Sequence, residues 1–292
     1  MISAMPTVIK TIIPSQCQLG EGPLYCDEGS CVMWVDIKKP SLHSYHLDTQ
    51  QWHTIALAEQ ICWLLPSARY GFIAGFRNAL YQLEPSTGKR TLLKQLEIAD
   101  HVRLNDAIIG PQGAPLFGTM DDNEQLPCGQ LLQLNDDLTL SVLDTGYTVS
   151  NGPALSTDHR MLFSTDSAAR TIYCFDVDAC GALSNKRLFT RFTQSMGYPD
   201  GMCVDSDDNL WVAAFQGGGV YCFGKDGRQR EFISLPAWQI TSVAFVGTHR
   251  DTLVVTSARV GLDEASHKQF PHNGDTFLLD VGRTGPRLPV GR

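Results

Sequence analysis

A chain of 292 residues, 43% hydrophobic and 18% charged, carries enough apolar material for a large packed core, and that balance excludes wholesale disorder. Its formal net charge of -8 at pH 7, with no run of lysine or arginine, excludes nucleic acid as the default partner, because phosphate recognition needs a basic patch. No stretch reaches the ~18 consecutive apolar residues of a membrane span, so no membrane partner is expected either.

The N-terminal stretch MISAMPTVIKTIIPS lacks a basic segment followed by a long apolar run, so no signal peptide is expected and the expected location is cytoplasmic. Within it, TVIKTII reads as a strand that precedes the first full repeat. LGEGPL from Leu19 then places one carboxylate, Glu21, among two glycines and a proline. Such backbone holds a side chain stiffly, and an ionised carboxylate held indoors needs a cation. VMWVD from Val32 and LHSYHLD from Leu42 follow as paired strands. His43 and His46 point to opposite faces of the second and make poor co-ligands. Glu59 to Leu65, ending at Pro66, reads as another strand. GFIAGF from Gly71 pairs with ALYQLE, and after RLNDA from Arg103, PLFGTM from Pro115 pairs with GQLLQLN. VSNGP from Val149 leads into MLFSTD and TIYCFDVD, and YPDGM from Tyr198 leads into LWVAAF and GVYCFGKDG. TLVVTS from Thr252 and DTFLLD close the series. Clusters of Pro, Asn, Asp and Gly punctuate it.

These are six units at a period of roughly 40–48 residues, which predicts an all-β, six-bladed propeller occupying residues 1–292 as one domain. Strands do not alternate with helices, so a doubly wound or (β/α)₈ fold is disfavoured. The strand TVIKTII could complete the last blade and close the ring. Stepping back roughly 11 residues from each strong strand reaches the innermost strand of each blade. The step lands on Glu21, on Ile61 or Cys62, on Asn105, Asn151, Asp200 and Ser242. Innermost strands line a propeller's channel, so Glu21, Asn105, Asn151 and Asp200 are expected to converge there. Two carboxylates and two amide carbonyls, without His or Cys, suit a hard cation.

Rival patterns are weak. No G-x-S-x-G elbow is present. The run Asp205 to Asn209 mimics an EF-hand start but lacks its Gly and Glu, so a hairpin turn is expected. Gly217 to Gly219 reads as a blade turn. Nine irregularly spaced cysteines without any C-x-x-C read as reduced, buried thiols of a cytosolic protein.

The ordered set LGEGPL, VMWVD, RLNDA…LFGTMDD, VSNGPALSTD, YPDGMCVDSDDNLWVAAF and TSVAF…TLVVTSARVGLD resembles the gluconolactonase, regucalcin and luciferin-regenerating enzyme family, from about Gly20 to Asp263. The resemblance implies that Glu21, Asn151 and Asp200 hold one divalent metal ion, with calcium, zinc, manganese, magnesium and iron(II) all open. It implies that Arg103 and Asn105 contact substrate and that the reaction is hydrolysis of a sugar lactone. This chain departs from the family pattern at Leu24 and Tyr25, at Ala107, and at Asp121, Asp122, Asn123 and Glu124, where some relatives place a substrate-binding Glu. Asp121 and Asp122 are therefore candidate substrate contacts.

Under this reading Asp200 serves as ligand and general base, Arg103 as a forked donor, and Asn105 as both donor and acceptor to a polyol. Asp106 is either an outer partner or a turn residue. The small-molecule partner is a sugar lactone, and the protein is a monomer or a weak homo-oligomer. The alternative is a calcium-binding protein without turnover.

Overall fold

The computed structural model describes residues 7–287, 291 and 292. Residues 1–6, the start of the stretch read above for a signal peptide, lie outside it. Six antiparallel sheets of four strands each are present, five of them built from consecutive strands. The innermost strands are Gly20–Cys26, Ile61–Ser67, Val102–Ile109, Ser150–Leu155, Tyr198–Val204 and Gln239–Val246. Each contacts the innermost strands of both neighbours, and the sixth contacts the first, so the ring is closed. This is the expected six-bladed β-propeller.

Closure uses the N-terminal strand as expected. Val8–Ile13 pairs with Thr276–Asp280 and becomes the outermost strand of the sixth blade, so the first and last strands of the chain share a sheet. The second and third strands of each blade fall where the apolar alternation places them, for example Gly71–Phe76 with Ala79–Leu83. The fourth strands, such as Trp52–Ala56 and Leu183–Arg191, are largely exposed and carry no such pattern. Pro66 does not end its strand: it lies inside Ile61–Ser67, opposite Phe72. An innermost strand has a partner on one side only, so it tolerates a residue without an N–H.

Apolar clusters between adjacent blades hold the ring. One joins Trp63, Leu65, Ile73, Leu104 and Phe117, and another joins Trp211, Val243, Phe245, Val255 and Phe277. Cutting a fully buried ring such as Trp63 back to alanine costs about 3–5 kcal/mol. All nine cysteines are free, but not all are buried, since Cys128 and Cys180 are exposed. The Asp205 run is a turn, its carboxylate clasping the amides of Asp207 and Asn209 and the indole of Trp211. A short helix, Glu264–Gln269, is capped by Asp263. No helix among the described residues is long and apolar enough to cross a membrane.

Candidate metal and substrate site

Every innermost strand breaks its register with the next strand at the same height. The shifts fall between Glu21 and Leu24, Ile61 and Trp63, Leu104 and Ala107, Asn151 and Ala154, Pro199 and Met202, and Ile240 and Ser242. A bulge of this kind re-aims side chains. It also corrects the single offset expected above. Glu21 and Asn151 are the last paired residues before their bulges, whereas Asn105 and Asp200 are the first residues inside theirs. Two of the bulges need a left-handed residue, supplied by Gly22 at φ 55° and Gly152 at φ 63°. The glycine that follows Glu21 and the one that follows Asn151 are thus part of how each side chain is aimed.

The bulges bring together a buried polar group. Glu21, Arg103, Asn105, Asp106, Asn151 and Asp200 are each less than a tenth exposed. Arg103 donates through Nη1 to Asn105 Oδ1 at 2.7 Å, and Asn105 Nδ2 donates to Asn151 Oδ1 at 2.9 Å and to the Ser150 carbonyl at 2.9 Å. Asn151 Nδ2 donates to Ser167 Oγ at 3.1 Å, and that hydroxyl donates to the Pro199 carbonyl at 2.6 Å. This relay fixes the rotamer of each amide. Both N–H groups of Asn105 are occupied, so the donor half of its expected role is closed and only acceptor capacity on Oδ1 remains.

The electrostatics are lopsided. Burial, then the charges of Asp200 and Asp106, hold the Glu21 carboxyl well above the usual carboxylate range. Burial and Asp106 do the same to Asp200. Asp106 is pushed up to about 7 by burial, although the amides of Ala107 and Gly152 donate to it. Asp200 Oδ1 is buried and no described donor reaches it. Three buried carboxylates beside one guanidinium are short of positive charge, and their oxygens, with the Asn151 carbonyl, are of the chemical type that suits a hard divalent cation. The residues fit such an ion. Cys62, the nearest candidate of the second blade, remains a thiol, since burial pushes it up to about 11.

Above this group lies Asp122, just past the second strand of the third blade. It accepts from Arg103 Nε at 3.1 Å and from Arg77 Nη1 at 2.7 Å, with Lys38 Nζ at 4.0 Å. Arg77 and Lys38 follow the corresponding strands of the second and first blades, outside the motifs that carry the family resemblance. Asp121 does not join them. It pairs with Val102, next to Arg103, so its side chain leaves on the other face of the strand. There its Oδ2 accepts from the amides of Gln125 and Leu126 at 2.8 and 3.0 Å. Of the two aspartates expected to face substrate, Asp122 alone contacts the buried group. Asp106, left undecided by sequence, is one of its members.

Comparison with known proteins gives the family of the chain. Residues 19–259 match the model of the SMP-30/Gluconolactonase/LRE-like region. A pentonolactonase of Haloferax volcanii is 31% identical over 95% of this chain and 96% of its own length. An L-arabinolactonase of Azospirillum brasilense is 32% identical over 91% of this chain and 90% of its own. The solved structure of a calcium-binding regucalcin from Agrobacterium tumefaciens superposes with a TM-score of 0.92 at 25% identity, covering 97% of this chain and 98% of that one. With the matched region running from the residue before the first blade's innermost strand through the sixth blade's second strand, this chain belongs to the SMP-30/gluconolactonase/LRE-like family.

Proposed function

We propose that this chain hydrolyses a sugar lactone to the open sugar acid, with one divalent cation held by Glu21, Asn151 and Asp200. The observation that carries the reading is a buried, charge-deficient set of carboxylates sharing one space with a fixed guanidinium, Arg103. A cation store has no use for that guanidinium, which opposes cation binding by simple repulsion. A catalyst does, because a polar substrate needs a donor beside the ion. The lactone-hydrolysing relatives support the substrate class.

When bound, the cation would supply a Lewis acid for the lactone carbonyl and for water. The residues do the rest. Asp200 Oδ1, which no donor among the described residues satisfies, takes the proton of the attacking water. Arg103 is clamped through Nε to Asp122 and through Nη1 to the Leu104 carbonyl and Asn105, so Nη2 is the edge left to donate to a substrate oxygen. Asn105 Oδ1 accepts from a sugar hydroxyl. Asp122, held by two arginines, keeps Arg103 in place.

The test is a panel of pentono- and hexonolactones with metal-stripped protein near neutral pH, adding calcium, zinc, manganese, magnesium or iron(II) singly. The reading expects hydrolysis above the spontaneous rate only with metal. Metal binding without turnover on any lactone would leave the calcium-binding alternative standing.

A further inference from the structure

We propose a second metal site, outside the channel, formed by His101, Asp121 and Cys128 and suited to a zinc-class cation. One ligand atom from each lies within 4.8 Å of the others, a spacing that a small closing movement brings to tetrahedral coordination. Nitrogen, carboxylate oxygen and sulfur together suit a borderline ion, in contrast to the all-oxygen set in the channel.

An unsatisfied oxygen points the same way. Asp121 is 1% exposed, yet its Oδ1 has no hydrogen-bond partner among the described residues. Two other blades supply the control. Asp36 and Asp166 end the same strand of the first and fourth blades, and both oxygens of each accept from backbone amides. In the third blade only Oδ2 is engaged, and the partner of Oδ1 is missing beside an imidazole and a thiol. The other mixed cluster among the described residues, Cys17 with Asp36 and His43, lacks this feature. Four amides occupy Asp36, and His43 is stacked between Trp34 and Trp52.

Binding would remove the Cys128 thiol proton to solvent and leave one position for water. It would tie the loop from Asp121 to Cys128 to the residue that precedes the third blade's innermost strand. The Asp122 amide already donates to the His101 carbonyl at 2.7 Å, so the same clamp steadies the aspartate that holds Arg103.

Cobalt(II) added to the metal-stripped full chain is the probe. A thiolate ligand gives an intense near-ultraviolet charge-transfer band that oxygen ligands in the channel cannot give, so this test is independent of the lactonase reading. The site expects the band in the native chain, its loss in Cys128→Ser, and an affinity at least about tenfold weaker in His101→Ala. Zinc should slow hydrogen exchange of the Gln125 and Leu126 amides in the native chain and not in Cys128→Ser. A native chain without the band, or a Cys128→Ser chain that keeps it, overturns the site.

Discussion

Asp106→Asn tests the electrostatic account of the channel directly. Asp106 is held up to about 7 from an ordinary value of 3.8, so the folded, metal-free chain keeps a proton there that the unfolded chain has already released. Native protonation exceeds unfolded protonation between those two values, and stability must therefore fall as pH rises through that window. From pH 5 to 7 that is about two units at ~1.4 kcal/mol each, so roughly 3 kcal/mol, a large share of the ~5–15 kcal/mol that holds a typical domain folded. The asparagine carries no charge to bury at any pH. Metal-free Asp106→Asn should thus gain roughly 3 kcal/mol relative to the native chain between pH 5 and pH 8. Removing the Asp106 charge also eases ionisation of Glu21 and Asp200, which adds with the same sign. The difference between the two proteins is the quantity to measure, because His43 works the other way. Burial holds it down to about 4 from 6.5, so it gains stability as pH rises through that range, equally in both chains. Urea unfolding of both metal-stripped proteins at pH 5, 6, 7 and 8 gives the difference. A value that does not change with pH would mean that Asp106 is not charged at a cost in the folded chain, and that the channel has no electrostatic need of a cation there.

Three further substitutions probe the site. Asp200→Asn should weaken metal binding and, at saturating metal, still lower turnover by roughly a hundredfold or more; full recovery of turnover with metal would leave Asp200 a ligand only. Arg103→Lys keeps the charge and loses the fork, so kcat/KM should fall about tenfold to a hundredfold, ~1.4–2.7 kcal/mol, while calorimetric metal affinity stays near that of the native chain. Gly152→Ala forces a side chain into the left-handed bulge at φ 63° and against Met202; it should cost about 1–2 kcal/mol in stability and weaken metal binding through Asn151, and native-like metal affinity would separate the bulge from ligand aim.

The parts of the fold that were legible are those whose side chains alternate between a blade interface and its opposite face. LWVAAF and GVYCF show this, both buried almost throughout. The fourth strands were not legible because residues such as Trp52, His53 and Thr54 stand in water and any polar pattern serves there. The place of Glu21, Asn151 and Asp200 on innermost strands was legible from the repeat offset and from the glycine or proline that flanks each, the local trace of a bulge. Their differing registers could not be read, since one extra residue in a bulge leaves the spacing between strong strands nearly unchanged. The sequence left Asp106 open between an outer partner of the site and a turn residue. Only the closed ring shows that its carboxylate reaches the Gly152 amide of the next blade. Lys38 and Arg77 sit on separate blades, and nothing in their own neighbourhoods indicates that they meet at Asp122.

The closing strand has a consequence for how the molecule assembles. Val8 pairs with Asp280, so the sixth sheet is complete only when nearly the whole chain is at hand. On a ribosome the first strand emerges early and must wait for its partner, while the other five sheets can zip from neighbours in sequence. The wait leaves an open sheet edge on the growing chain, the surface on which two copies can exchange strands. Closing so long a loop also carries an entropic cost that grows with the logarithm of its length. A circular permutant that moves Val8–Ile13 behind Asp280 on a short turn would turn that last pairing into a hairpin. It should refold faster at dilute concentration, shed strand-exchanged dimers, and leave the channel chemistry unchanged.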